Sequence, residues 1–135
     1  MSFVADASVT LSWILPDERA ASDQTLLTRT INQAIVVPAH WSSEVANGLL
    51  MAERRKRLMP ADSARAIGWL SGLEIVIDEG ELQVFAAAIP LARAHQLSVY
   101  DALYLELAAR KGLELATFDK TLIIAANAVG VKTLP

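Results

Sequence analysis

The sequence predicts an α/β fold, with a mostly parallel sheet covered by helices on both faces. Three observations carry that prediction. Short apolar or β-branched runs alternate with longer stretches of helical periodicity, and such alternation forces crossover connections that set strands parallel and helices on both sides. Hydrophobic residues make up 53% of the 135. That share is high for so short a chain, and it suits strands enclosed on both faces or an apolar surface covered by a partner. A chain of this length buries about two-thirds of the surface it exposes when unfolded, so residues 1–135 are expected to form one domain without a disulfide or structural metal.

The first strand is expected at Phe3–Ala5, followed by a helix from about Ala20 to Ala34 and a second strand at Ile35–Val37. Helical periodicity then runs from His40 to Arg57, where Trp41, Val45 and Leu49 share one stripe. A further helix is expected over Ala61–Leu70 and a third strand over Glu74–Ile77. Leu82–His95 reads as a helix that Pro90 kinks or splits, because proline lacks an N–H and its ring crowds the carbonyl four residues back. Ser98–Lys111 is a helix stopped by Gly112. The last strands are expected at Leu113–Ala116 and Val131–Leu134, with a helix beginning near Lys120 between them.

Composition excludes several functions. The longest apolar stretch, Leu82–Ala92, is interrupted by Gln83 and Pro90 and falls short of the roughly 18 residues of a spanning helix. No membrane association is expected. The N-terminus has no basic start and carries Asp6 early, unlike a secretory signal, so a cytoplasmic protein is expected. The absence of cysteine removes disulfide scaffolds, thiolate–zinc sites and thiol nucleophiles. A net charge of −3 argues against a broad basic surface for duplex DNA. The run Arg54, Arg55, Lys56, Arg57 reads first as a solvated helix C-terminus, where cations are favoured, and second as a phosphate-binding patch. None of the six glycines lies in a phosphate-loop pattern, and neither His40 nor His95 has the partners of a triad or zinc site.

The chemistry is expected among acids. Asp6 follows the first strand and Asp119 follows the fourth, so both sit at strand carboxyl ends, where open parallel sheets bind ligands. Glu44 and Asp101 fall near the first turns of helices that start on the same edge. Each has an ordinary explanation taken singly. Asp6 could form an Asx-turn, Asp119 could cap a helix, Ser98 and Asp101 have capping-box spacing, and Glu44 suits the positive end of its helix. Jointly they are harder to dismiss. Two carboxylates about 4 Å apart repel by about 4 kcal/mol at an effective dielectric of about 20, so four together call for protons, basic partners or a metal. Oxygen ligands without His or Cys favour Mg2+, with Mn2+ as a substitute, over zinc.

Four segments, FVADAS (3–8), PAHWSSEVANGLL (38–50), SVYDALYLELAARKG (98–112) and LATFDKTL (115–122), taken in order and spacing, resemble the PIN-domain family. Within it the resemblance is to toxin ribonucleases of the VapC kind, from type II toxin–antitoxin pairs. The resemblance implies a three-layer α/β/α sandwich, a homodimer, and a small VapB-like antitoxin whose DNA-binding part represses the shared operon. It also implies a site made of Asp6, Glu44, Asp101 and Asp119, with the hydroxyls of Ser8 and Thr117 in support.

The expected activity is metal-dependent hydrolysis of RNA. Asp6 and Asp101 would be the nearest ligands, Asp119 would bind directly or through water, Glu44 would orient the attacking water or a second ion, and Thr117 would hold a carboxylate or water in place. Two other readings compete. A phosphoryl-transfer protein using Asp6 would need a second acid nearby, where this chain has Ser8. A catalytically silent PIN-like scaffold would have no evident need to keep four repelling acids.

Overall fold

A computed structural model describes residues 1–21 and 24–135. It contains five strands, β1 (Ser2–Ala5), β2 (Ala34–Pro38), β3 (Ile75–Asp78), β4 (Leu115–Ala116) and β5 (Thr133–Leu134), in the order β3-β2-β1-β4-β5 with every neighbouring pair parallel. The expected α/β class and parallel sheet are what the chain forms.

The helices are α1 (Ala7–Ile14), α2 (Pro16–Ala21), α3 (Thr25–Arg29), α4 (Trp41–Arg54), α5 (Pro60–Leu70), α6 (Leu82–His95), α7 (Val99–Lys111) and α8 (Lys120–Ala128). From β1 the chain steps through β2 to β3, then crosses back to β4 and β5 on the other side of β1. Because parallel crossovers are right-handed, reversing the direction of travel moves the connecting helices to the opposite face. Accordingly α1 packs on α4, whereas α6 packs on α7 and α7 lies against β1, β2 and β4. Phe3, Val4, Val37, Leu105, Leu107 and Leu115 lie at or near zero exposure between the layers. A second apolar cluster, with Leu15, Leu49, Ala52, Leu58 and Ala66, joins the end of α1 to α4 and α5.

Three expectations need correction. No helix was expected directly after the first strand, yet α1 begins at Ala7. Its residues ASVTLSWI are apolar or small almost throughout, and Ala7, Val9, Thr10, Ser12 and Trp13 are all buried, so no one-sided stripe marks it. The single helix expected over Ala20–Ala34 is instead the end of α2, the short α3 and the first residue of β2, and positions 22–23 lie outside the described residues. The Leu82–His95 helix runs unbroken through Pro90. Pro90 is exposed, so a carbonyl freed by its missing N–H can turn to water.

The basic run ends α4, as its first reading has it: Arg54 closes the helix, Arg55 caps it, and Arg57 pairs with Asp17 and Glu18. No helix among the described residues is long and apolar enough to cross a membrane.

Candidate active site

The point where strand order reverses lies between β1 and β4, and parallel sheets open their ligand crevice there. Ala5 is in register with Ala116, so the chain leaves both strands at the same level and places Asp6 beside Thr117. The Asp6 N–H donates to the Ala116 carbonyl at 3.1 Å, which continues the ladder one step past the strand.

Asp6 is 5% exposed and caps α1. Its Oδ1 accepts from the Val9 N–H at 2.9 Å and from the Ser8 hydroxyl at 2.7 Å. Its backbone is secured from another direction: the Thr10 hydroxyl donates to the Asp6 carbonyl at 3.1 Å, and the Trp41 indole N–H donates to Thr10 Oγ1 at 3.0 Å. The first turn of α4 is thereby bolted to the Asp6 turn. Burial pushes the Asp6 carboxyl above its ordinary value, the Thr117 hydroxyl, Val9 N–H and Ser8 hydroxyl pull it back, and the Glu44 charge adds to the rise.

Asp119 caps α8 by accepting from the Leu122 N–H at 2.9 Å, and its own N–H donates to Thr117 Oγ1 at 3.1 Å. Thr117 is fully buried, so its hydroxyl joins the Asp6 and Asp119 turns. Asp101 stands in the first turn of α7, which Ser98 caps by accepting the Asp101 N–H at 3.1 Å. Burial raises the Asp101 carboxyl, and the charges of Asp119, Glu44 and Asp6 raise it further. Asp101 therefore lies within electrostatic reach of the other three expected acids. Glu44 is the exception in direction: burial pulls it upward, but the close approach of His40 and the hydrogen bond from Tyr104 outweigh this and leave it below the usual range.

These acids lack the strong cation that several other carboxylates have. Asp17 pairs with Arg57, Asp62 with Arg65, Asp78 and Glu106 with Arg110, and Glu114 with Arg29 and Lys132. Among the described residues no lysine or arginine pairs with Asp6, Glu44, Asp101 or Asp119; Glu44 alone has a basic neighbour, His40. Asp78 also ends a strand on this edge, but Arg110 neutralises it there.

The donor set, four oxygen ligands with uncompensated negative charge, matches a hard divalent cation in its chemistry. The side chains do not form a closed shell. Among the described residues no three His, Asp or Glu side chains are arranged to hold a metal ion. Capping accounts for much of this, since an oxygen of Asp6 and one of Asp119 are turned onto helix N-termini.

Two residues went unassigned in the sequence. Tyr104 donates its phenol to Glu44 Oε1 at 2.7 Å, and His40 Nε2 lies 3.1 Å from the same oxygen. That contact is close but is not a hydrogen bond, so among the described residues this buried nitrogen has Glu44 beside it and no hydrogen-bond partner. Burial and the Glu44 carboxylate push the Tyr104 phenol far above its usual value, which keeps it a donor. The available signals were spacing: His40 lies four residues before Glu44 on one helix, and Tyr104 lies three after Asp101 on another. Beside the acids, a cleft of about 600 Å³ is lined by His40, Ser98, Val84, Phe85, Tyr100 and Leu103 among others, but by none of the four acids.

A parallel sheet with acidic side chains gathered toward its switch point defines an α/β protein of the open-sheet class. The chain belongs to the PIN-domain family, whose model matches residues 3–127. Among solved structures it is similar to PAE2754 from Pyrobaculum aerophilum, with 22% identity and a TM-score of 0.71 over 98% of this chain and 92% of that one. It is also similar to VapBC2 from Rickettsia felis bound to a promoter DNA fragment, with 14% identity and a TM-score of 0.66 over 99% and 98%. A toxin–antitoxin complex from Klebsiella pneumoniae aligns with 15% identity and a TM-score of 0.55 over 90% and 89%. At these identities the likeness is one of fold. No curated protein matches the chain closely enough to count as a relative.

Proposed function

We propose that this protein is a Mg2+- or Mn2+-dependent endoribonuclease, acting in the cytoplasm as the toxin of a toxin–antitoxin pair. The observation that carries the reading is the approach of Asp6, Glu44, Asp101 and Asp119 to the switch point with, among the described residues, no lysine or arginine paired to them. Membership of the PIN family supports nuclease chemistry, and the toxin role draws on similar structures that are toxin–antitoxin assemblies.

Bound among these acids, a divalent cation would polarise a phosphodiester oxygen and ease deprotonation of the attacking water. Asp6 and Asp101 are assigned as the nearest ligands, with Asp119 binding directly or through water. Glu44 orients the water for in-line attack, which leaves a 5′-phosphate and a 3′-hydroxyl. Thr117 holds the Asp6 carboxylate, and Ser8 fixes its Oδ1. The substrate is assigned as single-stranded RNA, whose backbone can enter a narrow acidic crevice.

The partners that complete the reading are a second copy of the chain and a small VapB-like antitoxin. Exposed apolar side chains, including Leu82, Phe85 and Ile89 on α6 and Val76 and Ile77 on the edge strand β3, are consistent with a surface covered in an assembly. Light scattering should give twice the mass of one chain.

The decisive test is RNA cleavage by Asp6→Asn, which keeps the size of the side chain and removes its charge. A loss of about 100-fold or more in Mg2+ or Mn2+, with circular dichroism unchanged, is expected. Full activity in the folded variant would refute the assignment. A second reading, a scaffold that binds partners without catalysis, is favoured by the lack of a preformed three-ligand cluster. It predicts that Mn2+ at millimolar concentration leaves the melting temperature unchanged.

A further inference from the structure

Glu44 is held unlike the other acids. Among the described residues its two polar contacts fall on one oxygen, Oε1, which takes the Tyr104 phenol at 2.7 Å and lies 3.1 Å from His40 Nε2. Among the described residues no hydrogen bond or ion pair falls on Oε2. The two partners form one packed unit, with the His40 and Tyr104 rings 5.0 Å apart edge to face. A third ring, Tyr100, stands 5.6 Å from His40 at a tilt. Tyr104 is 1% exposed, so its phenol has no freedom to leave.

The placement crosses the site. Tyr104 lies on α7 one turn beyond Asp101, whereas Glu44 lies on α4 one turn beyond His40. The phenol therefore ties the helix that carries one acid to the helix that carries another. Without that tie, Glu44 would be free to swing into water. Repulsion from Asp6 and Asp101 favours that movement, and confining a glutamate costs up to about 2 kcal/mol of rotamer freedom.

We propose that Tyr104 and His40 are positioning residues that pin Oε1 of Glu44 and so present Oε2 to the metal and attacking water. This rests on the nuclease reading above. Tyr104 neither touches substrate nor binds metal in this role; it holds the Glu44 carboxylate in place against the repulsion of its neighbours, as groups behind metal ligands do elsewhere.

The test compares wild type with Tyr104→Phe, which keeps the ring and removes the donor, and with His40→Gln and His40→Phe, of which only the first retains an N–H near the Nε2 position. Calorimetry reads Mn2+ affinity, and cleavage of a single-stranded RNA gives kcat and KM. Tyr104→Phe is expected to weaken Mn2+ binding or lower kcat by about 10-fold or more while RNA KM holds. His40→Phe should do likewise, and His40→Gln should recover most of the loss. A lower melting temperature with wild-type Mn2+ affinity and kcat would mean a merely structural role and would overturn the proposal. If Tyr104→Phe does not fold, the His40 pair decides, and equal wild-type values in both overturn it. If wild type neither binds Mn2+ nor cleaves RNA, the nuclease reading fails by itself. Crystal structures of the same variants then decide the positioning claim: a displaced Glu44 carboxylate supports it, and an unmoved one overturns it.

Discussion

At the residue scale, Asp6 and Asp101 oppose Glu44 in the direction of their shifts, and this sets how stability should follow pH. Asp6 and Asp101 have folded values raised first by burial and then by like charges. An acid raised on folding favours the folded state most below its unfolded pKa, and that contribution is lost as pH rises through the folded pKa. Glu44, lowered by His40 and Tyr104 against the pull of burial, contributes stability above its unfolded pKa that is lost as pH falls through its folded value. Charge on Asp101 therefore works against the metal-free fold at neutral pH. Asp101→Asn should raise the melting temperature in EDTA by a few degrees at about pH 7, and the gain should fade as pH approaches the carboxylate range near 4. Thermal scans across that window check the sign; no gain at neutral pH would contradict the electrostatic account. On the proposed mechanism the same substitution should abolish cleavage, since Asp101 is assigned there as a metal ligand.

At the element scale, legibility followed periodicity. The α4 stripe of Trp41, Val45 and Leu49 is visible in sequence because one side of that helix is buried and the other is wet. No such contrast marks α1, which is enclosed, so only the Asp6 cap could have announced it, and an aspartate before a small residue also reads as a turn. Pro90 misled in the opposite direction. Its local cost suggested a kink or break, but Ala88 and Ala92 on either side are buried against neighbouring structure, and tertiary packing outweighs one lost hydrogen bond. That cost should be recoverable. Pro90→Ala restores the bond to the carbonyl of Ala86 and should stabilise the fold by up to about 3 kcal/mol in urea denaturation. An unchanged midpoint would mean that the helix has already relaxed around the proline. At the junction of α6 and α7, Ser98→Ala removes the cap on the Asp101 N–H and should cost about 1 kcal/mol.

At the scale of the whole molecule, the site is a product of topology. Reversal of strand order between β1 and β4 opens the crevice, and the Ala5–Ala116 register sets Asp6 and Thr117 level across it. The α4 and α7 helices deliver Glu44 and Asp101 from opposite faces of the sheet, and Tyr104 bridges them. Because the caps hold some carboxylate oxygens away from a shared centre, metal binding should draw them together and release repulsion. Mn2+ at about ten times its Kd is then expected to stabilise the fold by about 1.4 kcal/mol, seen as a higher melting temperature that EDTA reverses. The high apolar content also finds its explanation at this scale. Part of it fills both faces of the sheet, and part stays exposed on α6 and β3.

The sequence by itself determined the α/β class, the strand-end placement of Asp6 and Asp119, and the motifs that mark a PIN domain. These are local properties, written in alternation, caps and spacing along the chain. Tertiary structure alone decided that Glu44 is gripped by Tyr104 sixty residues away, that Arg110 removes Asp78 from contention, and that among the described residues no lysine or arginine pairs with the four acids. Each depends on which elements become neighbours across the sheet, and strand order is set by the packing of the whole chain rather than by any segment of it.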